Sequence, residues 1–313
     1  MHLSELLQPF FLKRAAACLG IGFLLFASVW KLGGNRRGPL TLAALGGAWI
    51  ACHLVMSILS VIFPPKEASD WLLAGSGAVV LVAGLFVFHQ SNFKLMAVAA
   101  AVLLAVTLWL MLGKIPYLLA PNESLAERQQ WTLLGIAAVL LVFASAEWLA
   151  HGLPAASVWK SMAVFAAAAG LSLWKLDSQS RMVMLPLALA LMACGAALAS
   201  LLLRSRAVIP PGLAGWFAGG IVVLFIRAAL SRAESVPLVS VGVAVAAMPA
   251  AALLVSVWRR VRLGDSGLAA IGAVVMTSAG IFWSASAKQQ HVQTQPAPSI
   301  STGADDTGAY EGL

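Results

Sequence analysis

The sequence predicts an all-α protein, a polytopic transmembrane helix bundle of about ten spans. Hydrophobic residues make up 61% of the chain and charged residues 10%, with a mean hydropathy of +0.91; a soluble domain carries about 25% charge. Apolar runs recur along the chain, each long enough to cross roughly 30 Å of hydrocarbon at about 1.5 Å per residue. Between them lie short segments that gather Lys, Arg, Trp, Gly and Pro. This composition excludes a water-soluble catalytic domain, and the net charge of +8 is assigned to membrane lipids, with no nucleic acid among the expected partners.

The first span, near 15–33, follows Lys13-Arg14 in the manner of a signal peptide, but the nine spans after it favour a retained helix. Residues 1–14 mix apolar and polar groups and read either as an interfacial helix or as a solvated end. The second span, 39–63, opens behind Arg36-Arg37 and holds Cys52 and His53. The third, 70–88, opens on Asp70-Trp71, and the fourth, 94–112, on Lys94. The fifth, 131–150, runs from Trp131 to a polar end with Glu147. The sixth, 155–174, carries Lys160 near its start; the seventh, 182–203, holds Cys194. The eighth, 208–230, begins at Pro210-Pro211; the ninth, 236–258, contains Pro249 and ends before Arg259-Arg260. The tenth, 267–284, closes a bundle of residues 15–285. From 286 to 313 the chain is rich in Gln, Pro, Ser, Thr, Gly and Asp, and is expected to be a disordered tail.

With an even number of spans, both termini share a face. Lys and Arg divide equally, ten to each face, so the positive-inside rule does not orient the bundle. Acids do not divide equally. Only Glu147 and Asp265 lie on the face formed by the loops after odd-numbered spans, so that face carries the whole net charge and suits anionic headgroups.

Few polar groups fall inside the spans. Glu147 and His151 are four residues apart on one helix face, with Lys160 at the start of the next span, which makes them a candidate polar cluster or three solvated headgroup-level residues. His53 is expected as a neutral imidazole bonded to a carbonyl of a neighbouring helix. Trp30, Trp71, Trp131, Trp258 and Trp283 read as interfacial belt residues. Cys18, Cys52 and Cys194 lie far apart in sequence, so neither a disulfide framework nor a metal site is expected, and no cofactor.

The basic face carries an ordered set of short motifs. Asn35-Arg36-Arg37-Gly38-Pro39 precedes Leu45-Gly46-Gly47, and Gly84-Leu85 is followed by Lys94. Gly152-Leu153 closes the fifth loop, Gly212, Gly215 and Gly220 open the eighth span, and Pro249, Arg259, Arg260, Gly264 and Ser266 follow. In order and spacing these resemble the polyprenyl-phosphate N-acetylhexosamine-1-phosphate transferases, glycosyltransferase family 4, which make the lipid-linked sugars of peptidoglycan and O-antigen. The resemblance covers nearly the whole chain. It implies a bacterial inner-membrane protein with both termini outside, its basic loops meeting at a cytoplasmic groove, and polyprenyl phosphate as a ligand.

It also implies what is missing. Family aspartates are replaced by Val87, Phe88, Trp148, His151, Leu213 and Ala252, family asparagines by Val142 and Ser145, and a family arginine by Ala44; the histidine loop after Arg260 is deleted. Magnesium prefers oxygen ligands, usually carboxylates, so the resemblance points to a pseudoenzyme of the cell envelope with no catalytic residues. Its remaining candidates are Arg36, Arg37, Lys94, Arg259, Arg260 and Arg262, as binders of anionic headgroups. The alternative is a small-solute transporter of ten spans or an orphan membrane protein. Against the transporter, the two halves show no echo of one another.

The orientation is testable on intact cells. An Arg36→Cys variant should react with a membrane-impermeant maleimide only after permeabilisation, and labelling from outside would invert the topology.

Overall fold

The computed structural model describes residues 9–56, 68–89, 93–113, 125–176, 184–204, 206–231, 238–261 and 266–294. They form ten α-helices: α1 (Pro9–Leu32), α2 (Arg37–Val55), α3 (Ala68–His89), α4 (Phe93–Leu112), α5 (Leu125–Ala150), α6 (Ala155–Leu176), α7 (Met184–Leu202), α8 (Leu213–Ser231), α9 (Leu238–Val261) and α10 (Ser266–Thr294). No strand occurs among the described residues. Nine of the helices are long and apolar enough to cross a membrane, and α8 is the short one, apolar over Leu213–Ala228.

Several boundaries differ from the hydropathy reading, and α5 begins at Leu125 rather than 131. α8 begins at Leu213 rather than 208, because Pro210 and Pro211 lack the amide hydrogens a helix would need there. α10 continues to Thr294, past the expected start of the tail at 286, since Ala285 to Gln293 contains neither Gly nor Pro; residues 295–313 lie outside the described residues. α1 starts at Pro9, so 9–14 continue into the first span, and residues 1–8 lie outside the described residues. The expected end of the second span, 57–63, also lies outside them.

Successive helices alternate in direction, and contacts between distant residues fix which ends meet. Arg14, at the start of α1, donates to the carbonyl of Met56 at the end of α2 (3.0 Å). At the other end, Arg259 of α9 donates to the carbonyl of His151 beyond α5 (3.0 Å). Nine helices pack in a closed circuit of neighbours, α1, α2, α3, α4, α5, α9, α10, α6, α7 and back to α1. α5 and α6 follow one another in the chain but are not neighbours in the circuit; α9 and α10 stand between them. α8 lies inside, against α2, α4, α5, α6 and α9, and every residue from Gly212 to Ile226 is buried. A helix that is apolar all round needs such a position.

Small residues bring the central helix close to its shell. A Cβ at Gly215 would stand 2.6 Å from the Phe143 ring of α5, and one at Gly220 would stand 2.5 Å from the Trp49 ring of α2. Aromatic side chains fill the remaining space: Phe26 meets Trp159 edge-on at 4.6 Å, and Phe217 lies against both Trp159 and Trp49. Trp30 belongs to this core, fully buried, with its indole N–H donating to Thr41 Oγ1 (3.1 Å). It is not a belt residue, because Thr41 of α2 supplies inside the bundle the partner that the headgroup region would otherwise provide. Trp283 is 78% exposed and Trp258 40%, as belt positions require.

α1 and α7 approach each other closely through glycines. A Cβ on Gly22 would overlap the carbonyl of Met192, and one on Gly195 would overlap the carbonyl of Leu19, so each helix offers a glycine to the other's backbone. Gly22→Ala or Gly195→Ala should cost about 1–3 kcal/mol by forcing the pair apart. Gly20→Ala, where nothing lies within 4 Å, is the control and should leave the melting temperature in detergent unchanged.

Candidate functional site

The end of the bundle where α1 stops and α2 begins carries Lys31, Arg36, Arg37, Lys94, Lys160, Arg204, Arg206, Arg259 and Arg260. Among the described residues Glu147 is the one acid there. At the centre of this end the backbone from Ala207 to Pro211 is non-helical and leads into α8. α8 starts below the rim: Gly212 packs on Ala97 and Ala100, in the first two turns of α4. Its φ of +91° is open to glycine and strained for other residues.

A recessed, buried helix start leaves amide hydrogens that water does not reach. Glu147, three residues before the end of α5, supplies the acceptors. The Gly212 amide donates to Glu147 Oε2 and the Gly215 amide to Oε1, both at 2.8 Å. Gly212 is the residue before the helix and Gly215 its third, the positions that a capping side chain serves. Here the cap comes from another helix and sets both carboxyl oxygens at the positive end of the α8 dipole.

Beside the carboxylate lies a cavity of about 190 Å³, lined by Glu147, His151, Gly152, Leu153, Pro210 and Pro211, among others. Arg259 reaches one of the lining residues, His151. Its guanidinium lies over the Trp148 ring, 5.3 Å from the centroid, while bonding to the His151 carbonyl.

The expected cluster of Glu147, His151 and Lys160 takes a different form. Glu147 is turned to the amides of α8, whereas the His151 and Lys160 side chains are exposed. Free helix amides outcompete a solvated lysine for a partly buried carboxylate because they have no water to return to. His53 is fully buried, but its Nδ1 pairs with the carbonyl of Trp49 on its own helix (2.9 Å), not with a neighbouring helix.

The headgroup candidates occupy the same end without meeting in one groove. Arg36 sits exposed in the 3₁₀ turn Gly34–Arg36, Arg37 is half-buried at the head of α2, Lys94 is exposed at the head of α4, and Arg259 and Arg260 end α9. Along the circuit α3, α4 and α5 separate α2 from α9, so these cations form an arc of the rim. Arg262 lies outside the described residues, and Phe88 is the last residue but one of α3. Of the other positions where the resemblance expects an aspartate, Leu213 is fully buried, Trp148 is 44% exposed under Arg259, and Val87 is half-buried at the end of α3. No three His, Cys, Asp or Glu side chains among the described residues are grouped to hold a metal ion.

The glycine spacing in the resemblance includes Gly212 and Gly215, but it gave no sign that Glu147 would bind them. The signal was an acid three residues from a span end together with Pro210-Pro211 just ahead of a glycine-rich helix start.

The fold and this site define an integral membrane helix bundle with a recessed, capped central helix. No family model, curated protein or solved structure matches the chain.

The cap sets a stability test. Glu147→Ala removes a charged acceptor from two buried amides and should destabilise the bundle by roughly 3–5 kcal/mol. Glu147→Gln keeps one acceptor oxygen and should fall between that and wild type. Equal melting temperatures for all three in the same detergent would show that the cap is dispensable.

Proposed function

We propose that this chain is a non-catalytic integral membrane protein that holds anionic lipid phosphates, polyprenyl phosphate among them, at its basic end. The observation that carries this is the separation of charge at that end. Its described cations lie along the rim, while its one described acid is turned inward and tied to the amides of α8. Each cation near an anionic surface contributes about 1 kcal/mol, and arginine adds bidentate phosphate geometry. The order of motifs on this face supports a polyprenyl phosphate in particular, and the replaced carboxylates support a chain that binds such a lipid without transferring sugar phosphate to it. That chemistry suits envelope polysaccharide assembly in a bacterial inner membrane.

One observation favours a second reading, a small-solute transporter. Transporters commonly aim the N-terminus of an interrupted helix at a buried site, and the recessed start of α8 beside a cavity has that geometry. A transporter would not require Arg259 and Arg260 for lipid retention.

The two readings separate on co-purified lipid. Native mass spectrometry of wild type should show retained lipid phosphates. In Arg259→Ala plus Arg260→Ala, losing two cations should weaken retention about 30-fold, the equivalent of about 2 kcal/mol. Equal retention by both proteins would remove the lipid-binding reading. Transfer of sugar phosphate from a nucleotide sugar to undecaprenyl phosphate, above a vesicle blank, would remove the non-catalytic one.

A further inference from the structure

At the end of the bundle opposite the basic rim, the seam between α1 and α2 collects sulfur. Cys18 and Cys52 are both fully buried, and the antiparallel register set by the Arg14–Met56 contact puts them at one level across the seam, four residues further in on each helix. Both are free cysteines. Met56 stands four residues beyond Cys52, on the same α2 face, and is 7% exposed. Across the seam, Arg14 stands four residues before Cys18 and binds the Met56 carbonyl. Arg14 and Met56 therefore mark a level about one helical turn nearer the membrane surface than the two cysteines. The spacing of the cysteines gave no hint of this pair; the packing of α1 on α2 creates it.

We propose that Cys18 and Cys52, assisted by the Met56 thioether, form a site for one soft monovalent metal ion, Cu⁺ or Ag⁺. Thiolate and thioether sulfur select such ions over the hard cations, which take oxygen. Zinc prefers four nitrogen or sulfur ligands in a tetrahedron, a set that this seam does not gather. Cu⁺ accepts two or three sulfur donors. Binding converts two thiols to thiolates: one M⁺ and two R–SH give M(SR)₂⁻ and two H⁺, with no change of oxidation state. The complex carries one negative charge in a low-dielectric seam, and the Arg14 guanidinium balances it. The two protons leave toward the water at that membrane surface.

The test uses full-length protein in detergent, anaerobic and reduced, in a Cys194→Ala background that removes the third thiol. Cu⁺ is titrated in competition with bicinchoninate. One Cu⁺ per chain should be retained, and Cys18→Ser or Cys52→Ser should abolish stoichiometric retention. Arg14→Gln, which keeps every sulfur, should weaken binding roughly 10- to 100-fold. If the serine variants fail to fold, X-ray absorption of the copper-loaded parent decides the matter. Sulfur-only coordination of a single copper supports the site, and nitrogen or oxygen scatterers overturn it. Retention by the Cys18→Ser plus Cys52→Ser double variant equal to the parent's would also overturn it. So would a Cys18–Cys52 disulfide in protein isolated from cells, because it would make the pair a cross-link.

Discussion

Inside a bilayer an unpaired backbone amide has no water to fall back on, and the centre of this bundle is organised around that constraint. Most helices solve it by crossing the hydrocarbon whole, so that their unpaired ends reach the headgroups. α8 does not. Two prolines delay its start until it is already enclosed, and its first amides would be orphaned without Glu147. One carboxylate on α5 thus lets a short helix stand at the middle of nine others. The same contact that completes the core thereby withdraws the acid from the surface.

The class of fold was legible because the bilayer imposes a length and a composition on each crossing segment, and both are written in the chain. Hydropathy placed every helix, and missed mainly where backbone chemistry overrides it, as at Pro210-Pro211. The arrangement of the helices was not legible. An apolar helix facing lipid and one facing protein share a composition, so nothing in Leu213–Ala228 announced the centre of the bundle. Trp30 shows the same ambiguity at one residue. A tryptophan at a span end is normally an interfacial anchor, and only Thr41 on the adjoining helix makes it a core residue.

The candidate site was half legible. Glu147 stood out as an acid near a span end, but its partner lay sixty-five residues away in Gly212, a backbone group with no sequence signature of its own. The basic residues were all visible, and their sidedness followed from counting spans. Their spread along an arc of the rim depends on which helices are neighbours, and that is set by packing. A rim of this kind favours contacts with several headgroups over enclosure of one.

The circuit of neighbours has a consequence for how the bundle is built during synthesis. Helices α1 to α5 form an arc in the order in which they leave the ribosome. α6 and α7 then attach at its far end, through the glycine contact of α7 with α1. A gap remains between α5 and α6, and α8 emerges while it is still open. Only α9 and α10, arriving last, fill that gap. In chain order, the wall around the central helix is complete only once α9 and α10 are in place. A chain halted after α8 would leave the flank that α9 covers facing lipid, a half-built intermediate of the kind that membrane quality control is placed to recognise.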